Sequence, residues 1–205
     1  IMVSEQYRAM LGGKSVIRIL SEFATKRGEE IGYDNVFDYS LGNPSVPVPE
    51  EFTECMIEML KNSDPCSLHG YSPSLGIPSV RAAIAASLNE RFGMNYGPEH
   101  IFMASGAAGA LAHAYRAVTK PGDEILTFAP YFPEYNPYVN LTGAVLKVVP
   151  PDTESFQINF DAFEEMLGEK VMAVLINTPN NPSGIVYSEE TILRLADILR
   201  KKEQE

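Results

Sequence analysis

The chain has 205 residues, of which 45% are hydrophobic and 21% are charged, an ordinary globular composition. Its net charge of -11 argues against a nucleic-acid partner, because contacts to phosphates need clustered lysine and arginine. No apolar run approaches the roughly 20 residues that span a bilayer, and the N-terminus lacks an apolar signal core, so we expect a cytoplasmic protein without a membrane partner. The two cysteines, Cys55 and Cys66, are too few for a disulfide scaffold. They and the scattered histidines, His69, His100 and His113, do not have the spacing of metal ligands.

Residues 1–47 are predicted to form an irregular arm. Apolar residues at helical spacing indicate one helix between Ile17 and Lys26, and the Pro- and Gly-rich passage FDYSLGNPSVPVPEEF follows it. The segment GGKS, Gly12 to Ser15, lacks the first glycine and the preceding strand of a phosphate-binding P-loop. We therefore interpret GGKS as a turn.

Residues 48–205 are predicted to form a larger α/β domain. Two helices come first, one from Pro49 to about Lys61 and one within SPSLGIPSVRAAIAASLNERFG. Strands then alternate with helices: the predicted strands are IFMAS, EILTFA, AVLKVVP and VMAVLIN, and the predicted helices are GAAGALAHAYRAVT, FPEYNPYVNLT, NFDAFEEMLG and a last one from Ser188. This alternation predicts a three-layer α/β sandwich with a mostly parallel sheet, whose ligand sites lie at the carboxyl ends of the strands.

The segment ASGAAGAL follows the first predicted strand and opens a helix. Gly106 and Gly109 remove side chains there, so the N–H groups of the first helical turn could receive a phosphate. A tight strand–helix turn built from small residues explains the same pattern. Both interpretations stay open.

Two further loops follow predicted strands. FAPYFPEY brings Tyr131, Phe132 and Tyr135, rings that could stack on a flat ligand or fill the helix–sheet interface. NTPNNPSG, Asn177 to Gly184, holds more asparagine and proline than a plain turn needs. A phosphate cradle, an aromatic ring and an amide donor at successive strand ends together predict a pocket for a phosphorylated aromatic cofactor.

Five segments in this order resemble the N-terminal half of class I/II aminotransferases, which are fold type I pyridoxal-phosphate enzymes. They are LGNP, HGYSPSLGIPSVRAAI, SGAAGAL, PGDEIL with PYFPEY, and NNPSGIVYS. The resemblance extends from about Ser15 to the end of the chain. It implies that residues 48–205 are an incomplete pyridoxal-phosphate-binding large domain and that residues 1–47 belong to a small domain.

The resemblance also implies roles for individual residues toward pyridoxal 5′-phosphate. Asn181 would donate a hydrogen bond to the phenolic oxygen of the cofactor ring, and Phe132 would stack on that ring. The backbone N–H groups of Ala107, Ala108 and Gly109 would hold the phosphate.

Two positions are linked by the resemblance to the substrate and to a second subunit. Gly42 matches a glycine beside the substrate carboxylate. Tyr71 matches a tyrosine that reaches the phosphate in the neighbouring subunit, which implies a homodimer with shared active sites. Asn177 and Asn180 match no known role.

The implied activity moves an amino group between an aspartate- or aromatic-like amino acid and a 2-oxo acid. The lysine that such enzymes bond to the cofactor, the Asp that pairs with the ring nitrogen and the substrate-binding arginines have no match, so no catalytic residue is assigned. We therefore expect a fragment that is inactive alone.

Two alternatives remain. A carbon–sulfur β-lyase on the same scaffold usually has arginine and an aromatic residue such as tryptophan where Ile185 and Tyr187 stand here, which favours transamination. A regulator that keeps the scaffold only to bind a ligand would carry a basic DNA-binding module, and none is visible in the sequence.

Overall fold

The computed structural model describes residues 15–42, 44 and 46–204, together with residues 3, 5 and 8. Gly12 to Lys14 of the GGKS segment and Asn43 of the LGNP segment lie outside the described residues. The chain divides into two compact units, Ile1–Ser72 and Pro73–Glu205. A domain boundary between residues 47 and 48 stays a prediction.

The first unit contains helices with little buried surface. These are α1 (Val16–Ile31), a short 3₁₀ helix (Tyr33–Asn35), α2 (Glu50–Asn62) and α3 (Pro65–His69). The Ser15 side chain caps α1, and the helix continues past the predicted end at Lys26 to Gly32, whose φ of +88° suits glycine. Among the described residues of this unit, Gly28 alone is buried.

The second unit contains the sheet and the helices that cover it. Its elements are α4 (Pro78–Phe92), a 3₁₀ helix (Pro98–His100), α5 (Gly106–Val118), β1 (Glu124–Phe128), α6 (Tyr135–Asn140), β2 (Val145–Val149), α7 (Phe160–Met166), β3 (Val171–Leu175) and α8 (Glu189–Glu203). The predicted alternation of strand and helix is confirmed from β1 onward.

The three strands form a parallel sheet in the order β2-β1-β3. In register, Phe128 at the end of β1 faces Val149 of β2, and Thr127 faces Leu175 of β3. The Thr127 hydroxyl also donates to the Leu175 carbonyl oxygen at 3.2 Å, which fixes the end of β3 to β1. All three strands therefore end at one edge, called the carboxyl edge below.

The prediction of a strand at IFMAS, Ile101 to Ser105, is wrong for this structure. A strand is defined by its ladder, and these residues pair with none of the three described strands. Phe102 is accordingly 54% exposed. The apolar sequence suits a buried strand, but the sheet has no neighbour for it here.

Successive residues of β1 contribute to two separate apolar clusters, one on each face of the sheet. The unit therefore has three layers, with helices on both faces of the sheet. On one face, Ile125 packs with residues of α5 and α6, including Tyr115 and Val139. On the other face, the cluster combines β1 and β2 with α7, α8 and the loops before them: Leu126, Phe128, Val149, Ile158, Phe163, Tyr187 and Leu195. The predicted α/β sandwich is confirmed.

None of the helices in the described part of the chain is long and apolar enough to cross a membrane. The longest of them, α1, has 16 residues and carries arginine, lysine and glutamate along its length.

Candidate functional site

Two loops of the second unit, those after β1 and β3, and the N-terminus of helix α5 lie at the carboxyl edge of the sheet. The loops after β1 and β3 leave from neighbouring parallel strands, so they begin side by side. Helix α5 packs on β1 through Leu111 and Tyr115 against Ile125, and a short connection joins its C-terminus to the start of β1. The helix therefore runs antiparallel to β1, and its N-terminus lies at the carboxyl edge.

The N-terminus of α5 is open to a ligand. Gly106 has a φ of +67°, a left-handed conformation that favours glycine. The Ser105 side chain makes no capping hydrogen bond, and no acidic residue occupies the first turn. The N–H groups of Ala107 and Ala108 have no acceptor within the helix, because the first turn of any α-helix lacks preceding carbonyl groups.

The other long helices in the described part of the chain differ in how their N-termini are treated. The side chains of Ser15 and Ser188 cap α1 and α8, and α2 has no side-chain cap but carries Glu50 and Glu51 in its first turn. Helix α4 has neither a side-chain cap nor an acidic residue there, and Pro78 removes one of its unpaired N–H groups. The positive end of the α5 dipole has neither a cap nor a carboxylate. An uncapped helix N-terminus of this kind suits a dianion such as a phosphate group.

One of the three predicted phosphate donors already has an acceptor within the protein. The Gly109 N–H donates to the Ser105 carbonyl oxygen at 3.3 Å, the first hydrogen bond of the helix, and is not free for a ligand. A Cβ at Gly109 would lie 3.5 Å from the Ser105 Cβ, an ordinary contact. Two open N–H groups remain, those of Ala107 and Ala108.

In the aromatic segment after β1, one ring is buried and others keep part of their surface exposed. Tyr135 is buried, and burial raises its pKa, with a smaller contribution from Tyr138. Tyr131 stacks on Tyr135 with ring centroids 6.5 Å apart, and Phe132 meets Tyr135 edge to face at 5.7 Å. Tyr135 thus fills the interface, whereas the half-buried Phe132 keeps ring surface in solvent.

The asparagines of the loop after β3 have distinct structural roles. The Asn177 Oδ1 accepts the Asn181 backbone N–H at 2.7 Å. Asn180 is buried and closes the turn, donating its N–H to the Ile185 carbonyl oxygen at 2.9 Å and accepting the Gly184 N–H at 2.7 Å. Sequence reasoning left Asn177 and Asn180 without a role, and the structure shows that both shape the loop around Asn181.

The side chain of Asn181 takes no part in this framework. It is exposed and has no hydrogen-bond partner among the described residues. Its amide can therefore donate to a ligand without breaking a bond inside the protein.

Gln157 supports the exit of the same loop and was missed by sequence reasoning. Its Oε1 accepts the Ser188 N–H at 3.2 Å and the Thr191 hydroxyl at 2.8 Å, and its Nε2 donates to the Val186 carbonyl oxygen at 3.2 Å. Since these partners are 29 to 34 positions away, no local pattern indicates the contacts.

The remaining two predicted site residues, Tyr71 and Gly42, belong to the first unit. Tyr71 is fully exposed, and a Cβ at Gly42 would meet no atom within 4 Å. Their roles toward a second subunit and a substrate stay predictions. No group of three or more His, Cys, Asp or Glu side chains in the described part of the chain could hold a metal ion.

Known proteins resemble this chain in both sequence and structure. The family described as aminotransferase class I and II matches residues 34–204. An aspartate aminotransferase of Thermotoga maritima is 33% identical over 178 residues, which cover 86% of this chain and 45% of that protein. A probable aspartate/prephenate aminotransferase of Aquifex aeolicus is 33% identical over 164 residues, 80% of this chain and 41% of that protein.

Solved structures agree with these matches. The crystal structure of an aminotransferase from Eubacterium rectale superimposes with a TM-score of 0.95 at 45% identity, covering 100% of this chain and 52% of that one. The structure of aspartate aminotransferase from Thermus thermophilus with maleate superimposes with a TM-score of 0.84 at 25% identity, covering 98% of this chain and 51% of that one. This chain spans about half the length of these relatives. The chain belongs to the class I and II aminotransferase family and has the fold of its pyridoxal-phosphate-dependent members.

Proposed function

We propose that the carboxyl edge of the second unit binds pyridoxal 5′-phosphate. The observation that carries this proposal is the uncapped N-terminus of α5 beside two strand ends that present Asn181 and Phe132. The open N–H groups of Ala107 and Ala108 suit the phosphate, and the helix dipole favours its negative charge. The residues present therefore fit the cofactor.

The other contacts would orient the ring. The unpartnered amide of Asn181 would donate to the phenolic oxygen, and Phe132, held by its contact with Tyr135, would cover one face of the ring and exclude water. When bound, the cofactor supplies the electron sink that amino-group exchange between amino acids and 2-oxo acids requires.

We further propose aminotransferase activity for the whole protein. The support is family membership and relatives named as aspartate and aspartate/prephenate aminotransferases. An aspartate- or aromatic-like amino acid with a 2-oxo acid is the proposed substrate pair. Gly42 would lie beside the substrate carboxylate, and Tyr71 would reach the phosphate of a second subunit in a homodimer.

The phosphate contact is tested by replacing Ala107 with proline, which removes one N–H without breaking a helical hydrogen bond. Ala107→Pro should weaken binding of 4-deoxypyridoxine phosphate about tenfold, as expected for a hydrogen bond to a charged group. This analogue lacks the aldehyde, so it cannot react with lysines at the surface. Calorimetric titration gives the dissociation constant.

Glu189→Pro is the matched control, since it places proline in the first turn of α8 behind the extended Ser188. It should leave the dissociation constant unchanged. Equal affinities for the unsubstituted chain and Ala107→Pro would contradict the phosphate site at α5.

A further inference from the structure

We propose that Asn177 is a positioning residue, which sets the direction of the Asn181 amide by holding the backbone of Asn181 to the end of β3. This inference rests on the proposed function, because it concerns the Asn181 contact to pyridoxal phosphate. It assigns a function to a residue that the sequence motif leaves unexplained.

Asn177 is tied to the sheet. It lies two residues after Leu175, whose carbonyl oxygen accepts the Thr127 hydroxyl at 3.2 Å. Asn177 is itself half-buried, and its side chain has only two rotatable bonds. The position of its Oδ1 therefore follows closely from the position of β3.

The backbone of Asn181 is anchored by Asn177. The 2.7 Å bond from the Asn181 N–H to the Asn177 Oδ1 is short for an N–H donor, and it acts on the residue that carries the ligand-binding amide. The bonds of Asn180 to Gly184 and Ile185 close the turn itself. They do not fix Asn181 to the strand end.

The Asn181 side chain has no partner of its own among the described residues. Its direction depends on the backbone from which it leaves, because no side-chain contact holds it. A ligand contact made by such an amide loses affinity when the backbone moves, since the donor must be ordered again on binding.

Three variants separate this role from ordinary loop stability. Asn177→Leu keeps the approximate size and removes the acceptor, whereas Asn177→Asp keeps an acceptor oxygen. Asn159→Leu is the matched control, because the Asn159 Oδ1 also accepts a backbone N–H, that of Ala162 at 3.2 Å, at the start of α7.

Two measurements are made on the full chain. The first is hydrogen exchange of the Asn181 backbone amide, which needs no ligand. The second is the dissociation constant of 4-deoxypyridoxine phosphate and of its analogue without the phenolic oxygen. Both measurements are made at high salt, which screens the negative charge that Asn177→Asp adds.

Asn177→Leu should speed exchange at Asn181 about tenfold and weaken 4-deoxypyridoxine phosphate about fivefold, corresponding to one lost hydrogen bond. The analogue without the phenolic oxygen should bind all variants equally. Asn177→Asp and Asn159→Leu should match the unsubstituted chain in both measurements.

Unchanged exchange or unchanged affinity in Asn177→Leu overturns the positioning role, as does an equal loss of affinity in Asn159→Leu. In those cases the unsubstituted chain still binds the ligand, so the proposed function survives. If the unsubstituted chain binds neither ligand, the proposed cofactor site fails and the role of Asn177 toward the cofactor fails with it.

Discussion

The phenol of Tyr115 on α5 is an unusual group at the scale of single residues. Its hydroxyl is buried without a hydrogen-bond partner among the described residues, and the residue is 5% exposed. Burial, with a smaller contribution from Tyr135, raises the pKa of Tyr115 to about 12. A tyrosine in the unfolded chain titrates near 10, so between about pH 10 and 12 the folded chain keeps a proton that the unfolded chain has lost.

The sign of the pH effect follows from this difference. Stability is unaffected by Tyr115 below about pH 10 and decreases as the pH rises above that value, because proton release favours the unfolded state. Tyr115→Phe should remove this alkaline loss. At pH 7 it should leave the free energy of unfolding unchanged or raise it by about 1 kcal/mol, since the unpaired hydroxyl disappears.

Urea unfolding at neutral pH and at about pH 11 measures both effects of Tyr115→Phe. Tyr96→Phe makes the same chemical change at an exposed position and should leave the free energy of unfolding at neutral pH unchanged. A loss of more than about 1 kcal/mol in Tyr115→Phe at neutral pH would show that the hydroxyl has a partner.

At the scale of elements, the start of α8 depends on a residue far away in sequence. Gln157 bridges the N–H of Ser188, the hydroxyl of the buried Thr191 and the carbonyl of Val186. Gln157→Leu should lower the free energy of unfolding by about 1–3 kcal/mol, because it leaves the Ser188 N–H and the Val186 carbonyl unpaired. The Thr191 hydroxyl, in contrast, keeps the Ser188 hydroxyl at 2.9 Å.

Gln157→Glu keeps an acceptor for Ser188 and Thr191 and adds a negative charge near the positive end of α8. Gln157→Glu should lower the free energy of unfolding by less than about 1 kcal/mol, which is the contribution of the lost hydrogen bond to Val186. Equilibrium urea unfolding compares the two variants. Equal losses in both would mean that the acceptor oxygen of Gln157 does not stabilise α8.

Some of these elements could be predicted from the sequence and others could not. Strands β1, β2 and β3 were predicted from their apolar runs, and each run has a ladder partner in the structure. Helix α8 was predicted from apolar residues at helical spacing after Ser188, and the Ser188 side chain caps it. IFMAS has the same apolar character but no partner strand, which its own residues cannot reveal. The contacts of Asn177, Asn180 and Gln157 depend on the folded loop, so residue type alone could not assign them.

At the scale of the whole molecule, the positions of the lysines limit the chemistry. In the second unit, Lys120 and Lys170 precede β1 and β3 and so lie at the edge opposite the proposed site, and Lys147 lies within β2 beside Glu124 at 3.4 Å. Lys201 and Lys202 lie near the C-terminus of α8. No lysine of this unit follows the carboxyl end of a strand.

We therefore predict that the purified 205-residue chain does not transaminate. Aspartate, 2-oxoglutarate and excess pyridoxal phosphate should yield glutamate only at the rate seen without protein. A coupled assay for oxaloacetate measures this rate, and turnover that scales with chain concentration would refute the prediction.

The central claim is that one edge of the sheet receives the phosphate and the ring of pyridoxal phosphate. The most direct measurement is the change in amide resonances of the isotope-labelled chain on titration with 4-deoxypyridoxine phosphate, compared with 4-deoxypyridoxine lacking the phosphate. The account predicts saturable shifts of the Ala107 and Ala108 backbone amides and the Asn181 side-chain amide, with the α5 shifts requiring the phosphate. Saturable shifts confined to other parts of the chain, or no saturable shift, would contradict it.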